Sequence, residues 1–166
     1  MQRGIIRVLG IDPGLRATGW GIVEACGAEL AYIASGCIRP VSEQPIARRL
    51  CQIHEGLSLI IREFRPGEAA IEETFVNRDP QSALKLGQAR GICLAVPALC
   101  GLRVAEYAAN LVKKTLTGTG HAAKEQIAMM VGILLPGSEA QSSDAADALA
   151  VAITHCRLGR AASKTG

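Results

Sequence analysis

The pattern of apolar and polar positions changes along the chain and predicts the order of its elements. Three short apolar runs near the N-terminus are typical of β-strands joined by hairpin connections. These runs occupy residues 5–11, 18–25 and 29–38. From Pro45 to about Phe64 the apolar residues recur every three or four positions, which predicts an amphipathic helix closed by Pro66-Gly67.

The second half of the chain predicts strands that alternate with helices. We expect a short strand at 68–72, a helix from Pro80 to about Cys100, and a fifth strand at 103–107. Three further helices follow, at about 108–116, 122–135 and 144–157. Short turns favour antiparallel pairing of the first three strands, whereas helical crossovers favour parallel pairing of the later ones. The sequence therefore predicts an α/β fold with a five-stranded mixed sheet flanked by helices.

Composition indicates a globular protein of one domain. The chain has 166 residues, of which 49% are hydrophobic and 20% charged, enough for a sizeable core. We expect one domain at 1–157 and a flexible basic tail at 158–166. The chain lacks an apolar stretch of the roughly 18 residues that a membrane span needs, and its N-terminus does not resemble a signal peptide. We therefore expect a cytoplasmic protein without a membrane partner.

Charge and cysteine usage narrow the kinds of site. The six cysteines contain no C-x-x-C pair and mostly lie in apolar runs, so we expect reduced core residues and no zinc site. The net charge of +3 is compatible with a nucleic-acid partner. Aromatic residues make up only 3% of the chain, which disfavours stacking platforms for single strands.

Four acidic residues stand in apolar surroundings, where a charged side chain is badly placed for stability. Asp12 ends the first apolar run, and the Pro13-Gly14 turn fixes it at the strand end. Glu72 closes the fourth predicted strand. Asp144 and Asp147 lie three apart, so they share one face of a helix that has almost no polar face.

Each acid alone has an ordinary explanation. Asp12 can cap its turn, and Glu72 can be a solvated strand end. Ser143 or Asp144 can cap the last helix and favour its dipole. These ordinary explanations are less convincing for all four acids together. A buried acid needs a partner, and no Lys or Arg lies within a helical turn of Asp147. Four converging carboxylates suit two Mg²⁺ ions about 3.5–4 Å apart that serve phosphodiester hydrolysis.

Four segments resemble the RuvC family of Holliday-junction resolvases in their residues, order and spacing. They are Gly10–Gly14, Ala70–Glu72, Ser82–Gly91 and Asp144–Ala150, and the resemblance runs from about residue 5 to 157. It implies an RNase H-like fold, a homodimer, and paired nicking of four-way junction DNA with Mg²⁺ or Mn²⁺. It also implies that the protein acts together with the junction-binding protein RuvA and the branch-migration motor RuvB. The resemblance assigns catalysis and metal binding to Asp12, Glu72, Asp144 and Asp147.

Several residues are candidates for DNA contacts. The resemblance places Phe75 near the junction centre and gives Lys113 and Lys124 to the DNA backbone. The alternatives are a Phe75 packed on the domain and lysines that are simply solvated. The basic residues considered as phosphate contacts are Arg78, Lys85, Arg90, Lys113 and Lys124.

Two further features have structural interpretations. We interpret His155 as a structural residue, about two helical turns beyond Asp147. The helix at 80–100 carries Gly87, Ala89 and Gly91 beside apolar side chains, which indicates either core packing or a dimer contact. The resemblance favours the contact.

Three other functions remain open on the sequence. Another RNase H-like nuclease that acts on RNA or an RNA–DNA hybrid would have the same acids and a different substrate channel. A sugar kinase or actin-like ATPase also ends its first strand in Asp and Gly, but that fold needs two such halves. A non-catalytic junction-binding subunit would retain the fold and lose acids, whereas this chain has all four.

Overall fold

All ten predicted elements are present in the structure, a computed structural model that describes residues 4–73, 79–139 and 142–162. The strands are β1 (Ile6–Asp12), β2 (Thr18–Cys26), β3 (Glu29–Ile38), β4 (Glu68–Glu73) and β5 (Arg103–Ala108). The helices are α1 (Ile46–Phe64), α2 (Pro80–Leu99), α3 (Ala109–Thr117), α4 (Lys124–Leu134) and α5 (Ser143–Ala162).

The strands form one mixed sheet in the order β3-β2-β1-β4-β5. Strands β1, β2 and β3 pair antiparallel, as the short turns predicted, and β4 and β5 are parallel to β1. In the central pair Ile11 stands opposite Ile71, so the next residues, Asp12 and Glu72, lie at the same edge of the sheet. The mixed five-stranded sheet is therefore confirmed, and its register already brings two of the four acids together.

The two faces of the sheet carry different helices. Val8 of β1 and Ala70 of β4 pack in one core cluster with residues of α3, α4 and α5. Their neighbours Leu9 and Ile71 pack in the other cluster, under α1 and α2. Side chains alternate between faces along a strand, so Asp12 and Glu72 face the same side as Val8 and Ala70. That side is covered by α5, which carries the other two acids.

Two glycines let α5 lie directly on the sheet. A Cβ added to Gly10 would lie 2.0 Å from the carbonyl oxygen of Ala148, and one added to Gly19 would lie 2.0 Å from that of Asp144. Both distances are far below van der Waals contact, so only glycine permits this approach. The approach fixes the height of the first turns of α5 above β1 and β2.

Two sequence expectations need correction. Helix α5 continues to Ala162 and so includes the first five residues of the predicted tail, while 163–166 lie outside the described residues. Residues 158–162 include Arg and Ala, which are good helix formers, and the single Gly159 lowers helix propensity without ending the helix. The cysteines are mostly not in the core, since only Cys93 and Cys156 are buried. The exposed ones are Cys26, Cys51 and Cys100.

The described helices also include none that is long and apolar enough to cross a membrane.

Candidate active site

All four predicted acids line one cavity of about 490 Å³ at the edge of the sheet. Asp12 ends β1, Glu72 lies one residue before the end of β4, and Asp144 and Asp147 lie in the first turns of α5. The cavity is closed on its other side by α3 and α4, which contribute apolar side chains and two lysines. Those residues include Val112, Lys113, Lys124 and Ile127. The structure thus brings together acids that are up to 135 positions apart in the sequence.

Local hydrogen bonds hold the acids at their positions. The hydroxyl of Thr18 donates to the carbonyl oxygen of Gly14 at 2.7 Å, which closes the turn after Asp12. At the start of α5 the backbone N–H of Ala145 donates to the hydroxyl of Ser142 at 3.3 Å. Ser142 therefore caps the helix, in place of the two residues that the sequence suggested. Asp144, two residues further along, is left to face the cavity.

Burial and mutual repulsion make it costly for the four carboxyl groups to be ionised together. Burial, followed by the charges of Asp147, Glu72 and Asp144, raises the pKa of Asp12 to about 8. Burial also raises the pKa of Glu72 and of Asp147. An acid whose ionised form is this costly needs a cation beside it when it is charged.

The described part of the chain supplies only part of that positive charge. Nζ of Lys124, the first residue of α4, lies 3.7 Å from the carboxylate of Asp147. This partner was missed in the sequence because it comes from another helix and not from a neighbouring turn of α5. The Lys124 side chain is 76% exposed, so its pair with Asp147 is screened by water and contributes little stability. Lys113 also faces the cavity, and among the described residues that line it two lysines leave four carboxylates with an excess of negative charge.

The donor set fits hard divalent cations. Carboxylate oxygens are the ligands that Mg²⁺ and Mn²⁺ prefer, and bound ions would offset the repulsion within the cluster. The fit rests on this chemistry and on the unbalanced charge. Within the described ranges, no three carboxylate, imidazole or thiol groups stand close enough to hold an ion as they are.

Asp12→Asn is expected to stabilise the metal-free protein at high pH. The folded-state pKa of Asp12 is about 8 against 3.8 for the ordinary group, so the folded protein holds a proton that the unfolded chain has released. The stability from this proton is fully present below about pH 4 and is lost as pH rises through about 8. Asparagine does not titrate, so the variant does not lose stability in this way. The difference in free energy of unfolding between the two proteins should reach a few kcal/mol at high pH, since one pKa unit corresponds to about 1.4 kcal/mol.

Urea unfolding in EDTA at pH 5 and pH 9 measures this difference. We expect the advantage of Asp12→Asn to be clearly larger at pH 9. Saturating Mg²⁺ should reduce this stability advantage, because the ions stabilise the protein with the Asp12 carboxylate and not the variant with asparagine. An equal difference at both pH values would contradict the burial of Asp12 among like charges.

The other predicted site residues are more dispersed. Phe75 and Arg78 lie outside the described residues. Lys85 is exposed on α2 and lines a separate groove. Arg90 forms an ion pair with Glu106 of β5, so it already has a partner within the protein, and its DNA contact stays a prediction.

His155 has the structural environment that we inferred. It is 3% exposed, its Nδ1 lies 2.7 Å from the hydroxyl of Tyr107, and its Nε2 is hydrogen-bonded to Glu68. Glu68 begins β4, so this network lies at the sheet edge opposite to the acids.

Comparison with known proteins identifies the family. The family model for crossover junction endodeoxyribonuclease RuvC matches residues 8–155. A curated protein of that name from Methylocella silvestris is 64% identical over 158 residues, which are 95% of this chain and 90% of the relative. One from Beijerinckia indica is 65% identical over 155 residues, 93% and 89% of the two chains.

Comparison with solved structures leads to the same family. A structure described as T. thermophilus RuvC in complex with Holliday junction substrate has a TM-score of 0.88 and 35% identity, with coverage of 95% and 97%. The yeast mitochondrial Holliday junction resolvase, at 13% identity and a TM-score of 0.66 over 96% of this chain and 81% of its own, shares the fold. These likenesses confirm the RNase H-like fold. On this evidence the chain belongs to the RuvC family of crossover junction endodeoxyribonucleases.

Proposed function

We propose that this protein is a metal-dependent Holliday-junction resolvase that nicks two strands of like polarity at four-way DNA junctions during recombination and repair. The observation that carries the proposal is the convergence of four carboxylates in one cavity of a RuvC-family domain. The likeness to a RuvC structure described with its Holliday junction substrate supports the same substrate class.

Asp12, Glu72, Asp144 and Asp147 are the proposed catalytic and metal-binding residues. Two Mg²⁺ ions are the proposed cofactor, with Mn²⁺ as a substitute, and when bound they supply an activated water and stabilise the leaving oxygen. The four carboxylates would hold and orient that centre. Apolar side chains of α3 and α4 line the same cavity, and Lys113 and Lys124 place positive charge where a phosphodiester approaches. In-line hydrolysis leaves a 5′-phosphate and a 3′-hydroxyl.

Cleavage of an immobile four-way junction in Mg²⁺, beside linear duplex and an RNA–DNA hybrid, tests the function. We expect nicks in the junction and almost none in the other two substrates. Cutting of the hybrid instead would assign the protein to another branch of the RNase H-like nucleases. Binding of the junction without any cutting would indicate a non-catalytic subunit.

Lys113→Ala is expected to weaken junction binding more than Lys114→Ala. Lys113 lines the acid cavity, whereas Lys114 is exposed and does not. Each lost phosphate contact lowers the slope of log affinity against log salt concentration by about 0.9. Binding measured without divalent ions over a range of salt should show that change for Lys113→Ala alone. Equal slopes for both variants would remove Lys113 from the DNA-binding residues.

A homodimer is part of the proposal, and α2 offers the surface for it. Its Leu84 is 66% exposed and Leu99 is 80% exposed, and no described residue lies within 4 Å of a Cβ built on Gly87 or Gly91. Small residues beside exposed leucines allow close approach of a second copy. A two-fold dimer of nuclease domains, each formed by residues 1–157, would present two active sites to two strands of like polarity. We further propose RuvA and RuvB as partners and a cytoplasmic location, as expected for this family.

Leu84→Glu is expected to convert the dimer to monomers, because it places a charge in a buried contact. Leu59→Glu on α1 is the matched control, since Leu59 is 57% exposed and lies on a different helix. Sedimentation equilibrium should give a dimer for the control and a monomer for Leu84→Glu. Dimers in both proteins would place the interface elsewhere.

A further inference from the structure

A second groove lies beside the acid cavity, where the turn between β1 and β2 meets the first turns of α1 and α2. It has a volume of about 450 Å³, and its lining includes Leu15 and Arg16 of the turn, Arg49 of α1, and Ser82 and Lys85 of α2. None of the four acids lines this groove, so it is a separate feature of the surface.

The groove carries an excess of positive charge. Among the described residues, its lining contains three cations, Arg16, Arg49 and Lys85, and no acid. Within the described residues, Arg16 and Lys85 have no carboxylate within 4 Å, and both are exposed. Asp79, which caps α2, is not among the residues that line the groove, and it accepts hydrogen bonds from the backbone of Gln81 and the hydroxyl of Ser82. The charge of the groove therefore favours an anionic ligand.

Arg49 has hydrogen-bonding capacity that the protein does not use. Its guanidinium has five N–H donors. Nη2 makes a long bond of 3.3 Å to the carbonyl oxygen of Leu15, and the buried Nε has no acceptor among the described residues. An unsatisfied buried donor costs about 1–3 kcal/mol, and a planar guanidinium matches the oxygens of a phosphate. The unpaired Nε is itself buried, but Arg49 also lines the groove and so adds a planar positive charge that suits a phosphate there.

The groove is continuous with the active site. Leu15 and Arg16 also line a shallow cavity of about 470 Å³ that contains Asp12, Asp144 and Arg39. Arg39 is exposed and has no ion-pair partner among the described residues. A path lined by cations therefore leads from the acids, past Arg16 and Arg39, into the groove.

We infer that this groove binds backbone phosphates of the DNA strand that adjoins the scissile phosphate. The inference rests on the proposed nuclease function and adds a binding track on the side of the acids away from α3 and α4. Arg16 and Lys85 contact phosphates as exposed charges, and Arg49 completes the site from its floor. Such contacts fix the position of the strand without reading its sequence.

The double variant Arg16→Ala, Lys85→Ala tests the groove. Arg49 is left unchanged because its bond to Leu15 helps to hold the turn after Asp12. The matched control is Arg62→Ala, Arg65→Asn, which removes the same charge at the opposite end of α1, and Asn tolerates the left-handed backbone of Arg65. Junction binding without divalent ions is measured over a range of salt concentration.

The groove variant should lose at least about tenfold in affinity, and its salt slope should fall by about 1.8, or 0.9 for each of two phosphates. The control should keep the slope of the unmutated protein. Equal slopes for all three proteins, or an equal fall in the control, would overturn the inference. If the unmutated protein binds junctions in this way but does not cut them, the proposed function fails while the groove stands.

Neutral methylphosphonate linkages test whether the phosphates that the groove binds belong to the DNA backbone. Placed one at a time along the strand on either side of the scissile position, they should weaken binding by the unmutated protein at one or two positions. At those positions the groove variant should be insensitive. Uniform sensitivity in both proteins, or none in either, would show that the groove does not bind the DNA backbone.

Discussion

Asp12→Asn protein is expected to bind four-way junctions and to cut them at least about 10³-fold more slowly than the unmutated protein. Asp12 is the acid whose charge is most strongly opposed by its surroundings, so it depends most on a bound cation. The amide has nearly the same shape but cannot carry the charge that holds divalent ions. Single-turnover cleavage at saturating protein measures the rate, and a gel shift without divalent ions measures binding.

Asp79→Asn is the control for this result. Asp79 is an exposed acid that caps α2 and does not line the acid cavity, and asparagine caps a helix about as well. It should cut at close to the unmutated rate. Near-normal cutting by Asp12→Asn, or an equal loss in Asp79→Asn, would contradict the assignment of the site.

Gly19→Ala is expected to destabilise the fold by about 1–3 kcal/mol and to slow cleavage strongly. The new methyl group would meet the carbonyl oxygen of Asp144 at 2.0 Å, so α5 has to move away from β2. That movement displaces the Asp144 carboxylate from its position near Asp12, and a displacement of about 1 Å can cost about 10²-fold in rate. Urea unfolding and single-turnover cleavage in saturating Mg²⁺ measure the two effects.

Gly132→Ala provides the comparison within α4. Among the described residues its Cβ would have one neighbour within 4 Å, the Cγ of Glu139 at an ordinary 3.5 Å. Alanine also favours a helix interior over glycine by about 1 kcal/mol. This variant should be as stable as the unmutated protein or slightly more stable, with unchanged cleavage. If Gly19→Ala has the same stability and the same cleavage rate as Gly132→Ala, then α5 does not rest on β2 as described.

The fold was predictable because local patterns and turn chemistry agree along this chain. The alternation of strands and helices gave the mixed sheet, and the Pro13-Gly14 turn placed Asp12 at a strand end. Once β1 and β4 are known to be neighbours, the convergence of Asp12 and Glu72 follows from the parallel register. The two acids of α5 were predictable because their helix has almost no polar face.

Other features depend on contacts between distant segments, which no local pattern encodes. Lys124 reaches Asp147 only because α4 packs beside α5, and Arg90 pairs with Glu106 only because α2 crosses near β5. The exposure of Cys51 depends on which face of α1 meets the sheet. The unused donors of Arg49 likewise appear only when three segments meet around one groove.

The most direct test of the central claim is a cruciform extruded from a supercoiled plasmid, incubated with the unmutated protein in Mg²⁺ and in EDTA. Two nicks within one binding event yield linear plasmid, whereas single independent nicks yield relaxed circles. A metal-dependent resolvase predicts linear product, cut at symmetry-related positions in strands of like polarity, in Mg²⁺ alone. Relaxed circles as the main product, cutting in EDTA, or an intact plasmid in Mg²⁺ would contradict it.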